Sequence, residues 1–252
     1  MSNPTSKPTS KPTSKPRQVL IVSGVAAAAV LLGVVSYTAT RPASPGAAGS
    51  SSVAEVSADP SAGVYPDLEA YARRDASDKL ALGRADAPVV LIEYADFQCG
   101  YCGKFARDTE PVLVRKYVAN GTLRIEWRNF PIFGEESSAV ARASWAAGQQ
   151  GRFWEFHKAA YAEGAKEKGF GKERLAALAE EAGVPDAARF AKDSEGEAAR
   201  RAVLEDQKQG YALGATSTPS FLVNGRPIAG AQPLEAFTEA IEAAAKTAKA
   251  GR

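Results

Sequence analysis

The stretch Asp96–Phe105 reads Asp-Phe-Gln-Cys-Gly-Tyr-Cys-Gly-Lys-Phe and holds both cysteines of the 252-residue chain, Cys99 and Cys102. A mainly apolar run, Val89–Tyr94, precedes it, and a helix-compatible stretch, Phe105–Val118, follows it. A strand, a Cys-x-x-Cys pair and a helix in this order form the arrangement that a dithiol redox site requires. The sequence therefore predicts a redox pair at the beginning of a helix.

The position of each cysteine predicts its chemical role. The Cys99 sulfur is expected at a helix N-terminus, where free N–H groups and the helix dipole favour an anion. A thiolate there has a lowered pKa, typically about 3.5–7.5. Cys102 lies one turn further on and can resolve a mixed disulfide. We therefore expect Cys99 to be the attacking thiol and Cys102 to be the resolving and more buried one.

Two other interpretations of the pair remain open. A structural disulfide more often joins residues that are distant in sequence, because closing a longer loop removes more entropy from the unfolded chain. A zinc site needs about four ligands, and the only histidine is His157, which we expect to be packed or exposed. Redox chemistry is favoured over both, and no metal site is predicted.

The overall charge points away from nucleic acid. The chain has 31 Lys and Arg residues against 29 Asp and Glu residues, a formal net charge of +2. A nearly neutral domain offers no electrostatic reason to bind nucleic acid. Nothing in the sequence indicates a nucleotide or haem site, so no cofactor is predicted.

The N-terminal part predicts a membrane anchor. Residues 1–18 carry three Pro-Thr-Ser-Lys repeats and are expected to form a disordered cytoplasmic tail. Residues 19–37 are uncharged and mostly apolar, and 19 residues at 1.5 Å each just cross a bilayer core of about 30 Å. Four basic residues precede this run and one follows it, which places the N-terminus in the cytoplasm.

The alternative is a cleaved signal peptide, whose apolar region usually has about 7–15 residues. The longer run and the lack of a convincing small-x-small site after it favour an uncleaved anchor. Residues 38–65 are rich in Ala, Gly, Ser and Pro and are expected to be a flexible linker. The predicted location is a single-pass cell-membrane protein with its catalytic domain on the extracytoplasmic side, where disulfides persist.

Residues 66–252 have the pattern of a folded domain. Residues 122–127 alternate as a strand after an Asn-Gly turn, and residues 137–213 form a helical block of four or five helices. Residues 219–229 predict a hairpin around Asn224-Gly225, and residues 233–249 predict an amphipathic helix.

These motifs, in this order, carry a resemblance to a known family over about residues 75–248. The matching motifs are Asp96-Phe97-Gln98-Cys99-x-x-Cys102, Arg128-Asn129-Phe130-Pro131, Gly151–His157 and Thr218-Pro219-x-Phe221. The chain resembles the DsbA-like thioredoxin-fold disulfide oxidoreductases. The resemblance implies an α/β thioredoxin fold, a central mixed sheet flanked by helices, with an all-helical insertion at about 137–213.

The resemblance also implies roles for residues outside the cysteine pair. Gly100 and Tyr101 would tune the redox potential, with Tyr101 contacting a peptide or covering the pair, although an ordinary first helical turn is an equal alternative. Pro219 would be a cis proline that bares the Thr218 backbone for an extended substrate peptide. The alternative for Pro219 is an ordinary edge-strand proline.

Glu93 lies six residues before Cys99, where the family commonly has a buried acid. Such an acid would have a raised pKa and could relay the proton of Cys102, unless strand alternation directs it elsewhere. Asp96 is expected to be a turn or cap residue. Most of the nearby aromatic residues are expected in the core: Phe97, Phe105, Phe130, Phe133, Trp154 and Phe221.

Three functions are compatible with the sequence. The favoured one is donation of the Cys99–Cys102 disulfide to unfolded or reduced secreted polypeptides, with reoxidation by an integral-membrane, quinone-linked partner that the family suggests. The second is a tethered reductase or isomerase, because the family's best-known strong oxidant has a histidine where this chain has Gly-Tyr. The third is a non-enzymatic peptide-binding or chaperone module.

Overall fold

The computed structural model describes residues 63–250, and its central feature is a five-stranded mixed sheet with the strand order β1-β3-β2-β4-β5. The strands are β1 (Ala81–Leu82), β2 (Val89–Ala95), β3 (Leu123–Asn129), β4 (Ser220–Val223) and β5 (Arg226–Ala229). β2 pairs in parallel with β3 and antiparallel with β4, while β1 and β5 add antiparallel edges. The sheet therefore has the mixed character expected of a thioredoxin fold.

Helices cover the sheet and form the block between β3 and β4. They are α1 (Pro66–Glu69), α2 (Gly100–Lys104), α3 (Glu110–Leu113), α4 (Glu135–Gly148), α5 (Phe153–Ala160), α6 (Lys172–Glu181), α7 (Ala187–Glu195), α8 (Glu197–Ala212) and α9 (Leu234–Ala250). Two π-helical turns, Phe105–Thr109 and Val114–Val118, follow α2 and α3, and a 3₁₀ turn spans Lys166–Lys168. α4–α8 supply the five α-helices of the segment predicted to be all-helical.

β2 is the middle strand, and every one of its residues is buried. Because successive side chains of a strand point to opposite faces, its residues divide between two parts of the core. Leu91 packs with Phe105 and Phe237 on one face, and Ile92 packs with Phe130 on the other. The unbroken apolar pattern of β2 thus reflects a strand covered on both sides.

The helical block encloses a third part of the core, built mainly from aromatic side chains. Phe97 lies 5.1 Å from Trp127 and 4.9 Å from Tyr161, measured between ring centroids. Phe156 and Phe190, from α5 and α7, belong to the same cluster. The loop that carries the cysteine pair is therefore packed directly against the helical block.

The structure corrects one expectation from the sequence. Phe133 was expected in the core, yet 54% of it is exposed, because it lies in a short loop after β3. The stretch Phe105–Val118 is helical, as the sequence predicts, and it alternates between π and α geometry. Pro111 contributes to this irregularity, since it cannot donate the hydrogen bond that a regular helix would need.

The predicted tail at 1–18, the predicted transmembrane helix at 19–37 and nearly all of the predicted linker at 38–65 lie outside the described residues. Among residues 63–250, none of the helices is both long and apolar enough to cross a membrane.

Candidate active site

Cys99 caps the N-terminus of α2. Its backbone is extended, with φ −76° and ψ 117°, and its sulfur accepts a hydrogen bond from the Cys102 amide at 3.4 Å. Both cysteines are free thiols in this structure. The favourable contacts are the Cys102 thiol, the Thr218 side chain and the amides of Cys102 and Tyr101. Together they outweigh burial and lower the pKa of Cys99 to about 6.

Cys102 has the opposite environment. It is fully buried, whereas Cys99 is 5% exposed. Burial raises the pKa of the Cys102 thiol well above its ordinary value, and the nearby charges of Cys99 and Glu93 act in the same direction. The expectation that Cys102 is the more buried cysteine is therefore met, and the pair combines a stable thiolate with a stable thiol.

Thr218 and Pro219 close the site from the other half of the sheet. The peptide bond between them is cis, as the family resemblance implies. The Cys99 thiol donates to the carbonyl oxygen of Thr218 at 3.2 Å, across 119 residues of sequence. The segment before β4 therefore lies directly against the attacking sulfur. The substrate-binding roles of Thr218 and Pro219 remain predictions.

Glu93 is buried beneath this site. Glu93 lies two residues after Leu91 on β2, so both side chains point to the same face of the sheet. This is the face that α9 and Phe105 cover. Neither carboxyl oxygen has a hydrogen-bond partner within residues 63–250. Burial raises the pKa of Glu93 well above its usual range, and the negative charges of Glu110 and Cys99 raise it further. Strand alternation thus directs the acid towards the dithiol.

The two residues between the cysteines are open to solvent. A Cβ added at Gly100 would meet nothing within 4 Å, and Tyr101 is 70% exposed. Tyr101 therefore does not cover the pair, which leaves it as a surface that a peptide can contact. The redox-tuning role of this dipeptide remains a prediction.

Asp96 holds the loop that carries Cys99, but it does not cap α2, because Cys99 does so. Its carboxylate accepts hydrogen bonds from the Gln98 amide at 2.8 Å, the Ile132 amide at 2.7 Å and the Ser137 hydroxyl at 2.8 Å. The Tyr161 hydroxyl donates to its backbone carbonyl at 2.9 Å. Asp96 therefore joins the cysteine loop to the loop before α4.

Glu110 is a site residue that sequence reasoning missed. It is 8% exposed, and its Oε2 lies 3.6 Å from Nε2 of His157. Burial raises the pKa of Glu110 to about 8 and lowers that of His157 to about 3. His157 is packed, as expected. No motif in the sequence marks Glu110, and its inward direction depends on the π turn that precedes it.

No group of three or more His, Cys, Asp and Glu side chains is arranged to hold a metal ion in the part of the chain that the structure describes.

Comparisons with known proteins agree with this geometry. Residues 75–243 match the family model described as Thioredoxin. The probable disulfide bond formation protein D of Bacillus cereus is 30% identical over 155 residues, which cover 59% of this chain and 71% of that protein. Oxidised BdbD from Bacillus subtilis superposes with a TM-score of 0.63 at 22% identity, covering 68% of this chain and 95% of that one. This structural similarity shows the fold.

A second kind of relative is much longer than the present chain. The Na(+)/H(+) antiporter NhaA 3 of Salinispora tropica is 31% identical over 169 residues, which cover 66% of this chain and 25% of that protein. The chain therefore spans about a quarter of the length of this antiporter.

Proposed function

This chain belongs to the thioredoxin family, among its DsbA-like disulfide oxidoreductases, and from that premise we propose that it donates its Cys99–Cys102 disulfide to reduced polypeptides. The observation that carries the proposal is the contrast between the two sulfurs. The Cys99 pKa is about 6, whereas the Cys102 pKa is raised well above normal. A stable Cys99 thiolate favours the reduced enzyme and makes its disulfide a good donor.

The reaction consists of two exchanges of a sulfur–sulfur bond. A substrate thiolate attacks Cys99 Sγ, the Cys99–Cys102 bond breaks, and Cys102 leaves as a thiolate that must take up a proton. A second substrate thiolate then attacks the substrate sulfur of the mixed disulfide and releases Cys99 as a thiolate. Two electrons pass from the substrate to the enzyme, and the substrate gains one disulfide.

Glu93 supplies the proton in this scheme. Its raised pKa favours the protonated form, and in that form it can donate a proton to the Cys102 thiolate without first collecting one from solvent. In the reverse reaction the Glu93 carboxylate accepts the proton of Cys102. The buried acid thus serves the sulfur that solvent does not reach.

The surface around Cys99 suits an extended polypeptide. A depression of about 150 Å³ beside Cys99 is lined by Phe97, Gly103, Arg107 and Tyr161 among others. Tyr101 projects from the helix start, and the Thr218 carbonyl lies on the other side of the sulfur. A peptide passing over Cys99 can contact all three features, which supports unfolded or reduced secreted polypeptides as the substrates.

The proposed setting is the extracytoplasmic face of the cell membrane. The uncharged run 19–37, with more basic residues before it than after it, supports a single-pass anchor. Because each donated disulfide leaves the enzyme reduced, the proposal includes an integral-membrane partner that reoxidises the pair.

The test uses the full-length chain in detergent or nanodiscs. We expect the oxidised protein to form disulfides in a reduced, unfolded four-cysteine substrate and the Cys99→Ser variant to form none. Given the disulfide-containing form of the same substrate, Cys102→Ser should attack it through Cys99 and accumulate the mixed disulfide, because Cys102 is missing to resolve it. A Cys99→Ser variant that keeps full function would instead indicate a binding or chaperone module.

The direction of electron flow is measured separately in graded glutathione buffers. A reduction potential above about −180 mV identifies a disulfide donor, whereas a value near about −270 mV identifies a reductase.

A further inference from the structure

We propose that Glu110, next to His157, connects Glu93 to solvent, so that protons reach the buried dithiol through a cavity on the side of the domain rather than past Cys99. The inference rests on the proposed thiol-disulfide exchange and adds Glu110 to its proton path, with His157 as the neighbour of Glu110. Glu110 acts through Glu93 and is a positioning residue for the proton, because it does not touch the reacting sulfurs.

The argument begins with the isolation of Glu93. Its side chain has 0% exposure, and neither of its oxygens has a hydrogen-bond partner in the described residues 63–250. Each disulfide donated to a substrate takes one proton from Glu93 and leaves a buried carboxylate until Cys102 gives its proton back on reoxidation. A neighbouring group that can carry a proton removes this buried charge in the meantime.

Glu110 is placed to do so. Phe105 packs with Leu91 on the sheet face that carries Glu93, and Glu110 follows Phe105 by one π turn. The charge of Glu110 also acts on Glu93. Glu110 Oε2 is buried and has no hydrogen-bond partner in the described part of the chain, and the same holds for Nε2 of His157, 3.6 Å away. Two facing, unpartnered atoms at this distance form a hydrogen bond after a small side-chain rotation. Glu110 and His157 can therefore share a proton between them, so that neither side chain is left as a buried charge without a hydrogen-bond partner.

The cavity gives this pair access to water. It measures about 530 Å³, and both Glu110 and His157 line it. Because a water molecule needs about 30 Å³, the cavity has room for several. The other polar and charged residues that line it are Arg107, Arg115, Lys158, Tyr161 and Trp154, and the indole N–H of Trp154 has no hydrogen-bond partner within residues 63–250. A carboxylate at Glu110 that faces this cavity can collect a proton from its water.

The backbone explains why an acid of the helix surface turns inward here. The Glu110 amide donates to the Phe105 carbonyl, five residues earlier, which closes the first π-helical turn. One extra residue in a turn rotates the following side chains by about 100° relative to a regular α-helix. The π turn therefore changes the direction in which Glu110 points, and such turns are frequent at functional sites.

The proposed proton steps balance. When Cys102 leaves as a thiolate, it takes a proton from the Glu93 carboxyl, and the Glu93 carboxylate takes one from the Glu110 carboxyl. The Glu110 carboxylate then takes a proton from cavity water, and buffer acid neutralises the hydroxide. No electrons move apart from those of the thiol–disulfide exchange, and the path runs backwards when Cys102 attacks.

The experiment compares the full-length oxidised chain with Glu110→Gln, which keeps the shape of the side chain and removes its proton. Single-turnover reaction with a small thiol is followed from pH 5.5 to 8.5. Each rate is divided by the thiolate concentration of the small thiol at that pH, which removes the pH dependence of the nucleophile. We expect the corrected rate of Cys102 release to fall by at least about tenfold in Glu110→Gln and to lose most of its remaining pH dependence. The matched control is Asp108→Asn, an exposed acid on the same helical stretch, which should leave the rate unchanged.

A second variant separates proton transfer from a structural effect. In Glu110→Ala, a small acid such as acetate can enter the cavity, and we expect it to restore a large part of the lost rate. A wild-type rate and pH profile in Glu110→Gln, or a slow Glu110→Ala that acetate does not restore, would overturn the proton path alone. A wild-type chain that exchanges no disulfide would instead overturn the proposed function.

Discussion

At the scale of single residues, the site depends on two identical side chains that have opposite environments. Cys99 and Cys102 are three positions apart, yet one meets the free amides of a helix start and the other lies in the interior. Amides stabilise an anion, whereas burial penalises it. The chain thus obtains its chemical asymmetry from position alone, with no metal or cofactor needed to explain it.

The lowered pKa of Cys99 predicts its alkylation profile. In the reduced protein we expect the rate of Cys99 alkylation by iodoacetamide to reach half its maximum near pH 6, with about ten thiolates per thiol at pH 7. Cys102 should remain unmodified through neutral pH, because burial raises its pKa. Peptide mass spectrometry after a short pulse measures both sulfurs, and the denatured chain is the control.

The lowered pKa of Cys99 also determines how the stability of the reduced protein changes with pH. The folded pKa of Cys99 lies below its unfolded value, so the thiolate stabilises the reduced fold fully above about pH 9 and progressively less as the pH falls through about 6. Equal alkylation of both cysteines with a midpoint near the ordinary thiol value of about 8.5 would contradict this assignment.

At the scale of elements, α8 contacts the sheet through a glycine. A Cβ at Gly210 would lie 2.9 Å from the Phe130 ring and 3.2 Å from the Tyr94 ring. Phe130 is fully buried and packs edge-on against both Tyr94 and Tyr211. The absence of a side chain at this position sets how closely α8 approaches the strands.

Gly210→Ala should therefore destabilise the protein by about 1–3 kcal/mol, because overpacking outweighs the better helix propensity of alanine. Urea unfolding measures the change as a lower midpoint with an unchanged slope. Lys208→Ala, two residues earlier on the exposed side of α8, is the control and should stay within about 0.5 kcal/mol of wild type. A Gly210→Ala variant as stable as the control would show that the rings rearrange freely.

The elements with strong local signals were the ones that the sequence predicted. The apolar run of β2, the Cys-x-x-Cys helix start and the Asn-Gly hairpin each depend on neighbours in the chain. The two-residue strand β1 was not predicted, because so short a segment shows no alternation of apolar and polar residues. The inward turn of Glu110 was not predicted either, because it depends on a π turn, and helix periodicity assumes regular geometry.

At the scale of the whole molecule, a buried set of charges joins three distant parts of the chain. Glu126, on β3, accepts hydrogen bonds from the amides of Arg73 and Arg74 at 2.9 and 2.8 Å. It also accepts from the side chains of Arg124 at 2.9 Å and Arg128 at 2.8 Å. The Arg73 side chain pairs in turn with Asp206 on α8. One carboxylate thus anchors the segment before β1 to the sheet and, indirectly, to the helical block.

Glu126, Arg124 and Arg128 are buried together. Removing the charge of Glu126 should therefore lower the free energy of unfolding more than breaking an ion pair at the surface does. We expect Glu126→Gln to lower the free energy of unfolding at pH 7 by about 3–5 kcal/mol, since the buried guanidinium groups of Arg124 and Arg128 lose the carboxylate that they share. Arg128 then faces only the more distant charge of Asp78, 4.0 Å away, among the described residues. Glu155→Gln, which breaks the exposed pair with Arg152, is the control and should cost less than about 1 kcal/mol.

The pH dependence identifies the cause of that loss. Burial opposes ionisation of Glu126, but the charge of Arg128 and the surrounding hydrogen bonds prevail and lower its pKa below 4.5. Its contribution is therefore present above about pH 4.5 and is lost as the pH falls through the lower folded value. Unfolding measured from pH 7 down to pH 3 should bring wild type and Glu126→Gln closer together towards the acid end. A constant difference over this range would mean that the variant loses packing, and that the charge of Glu126 does not hold the three segments together.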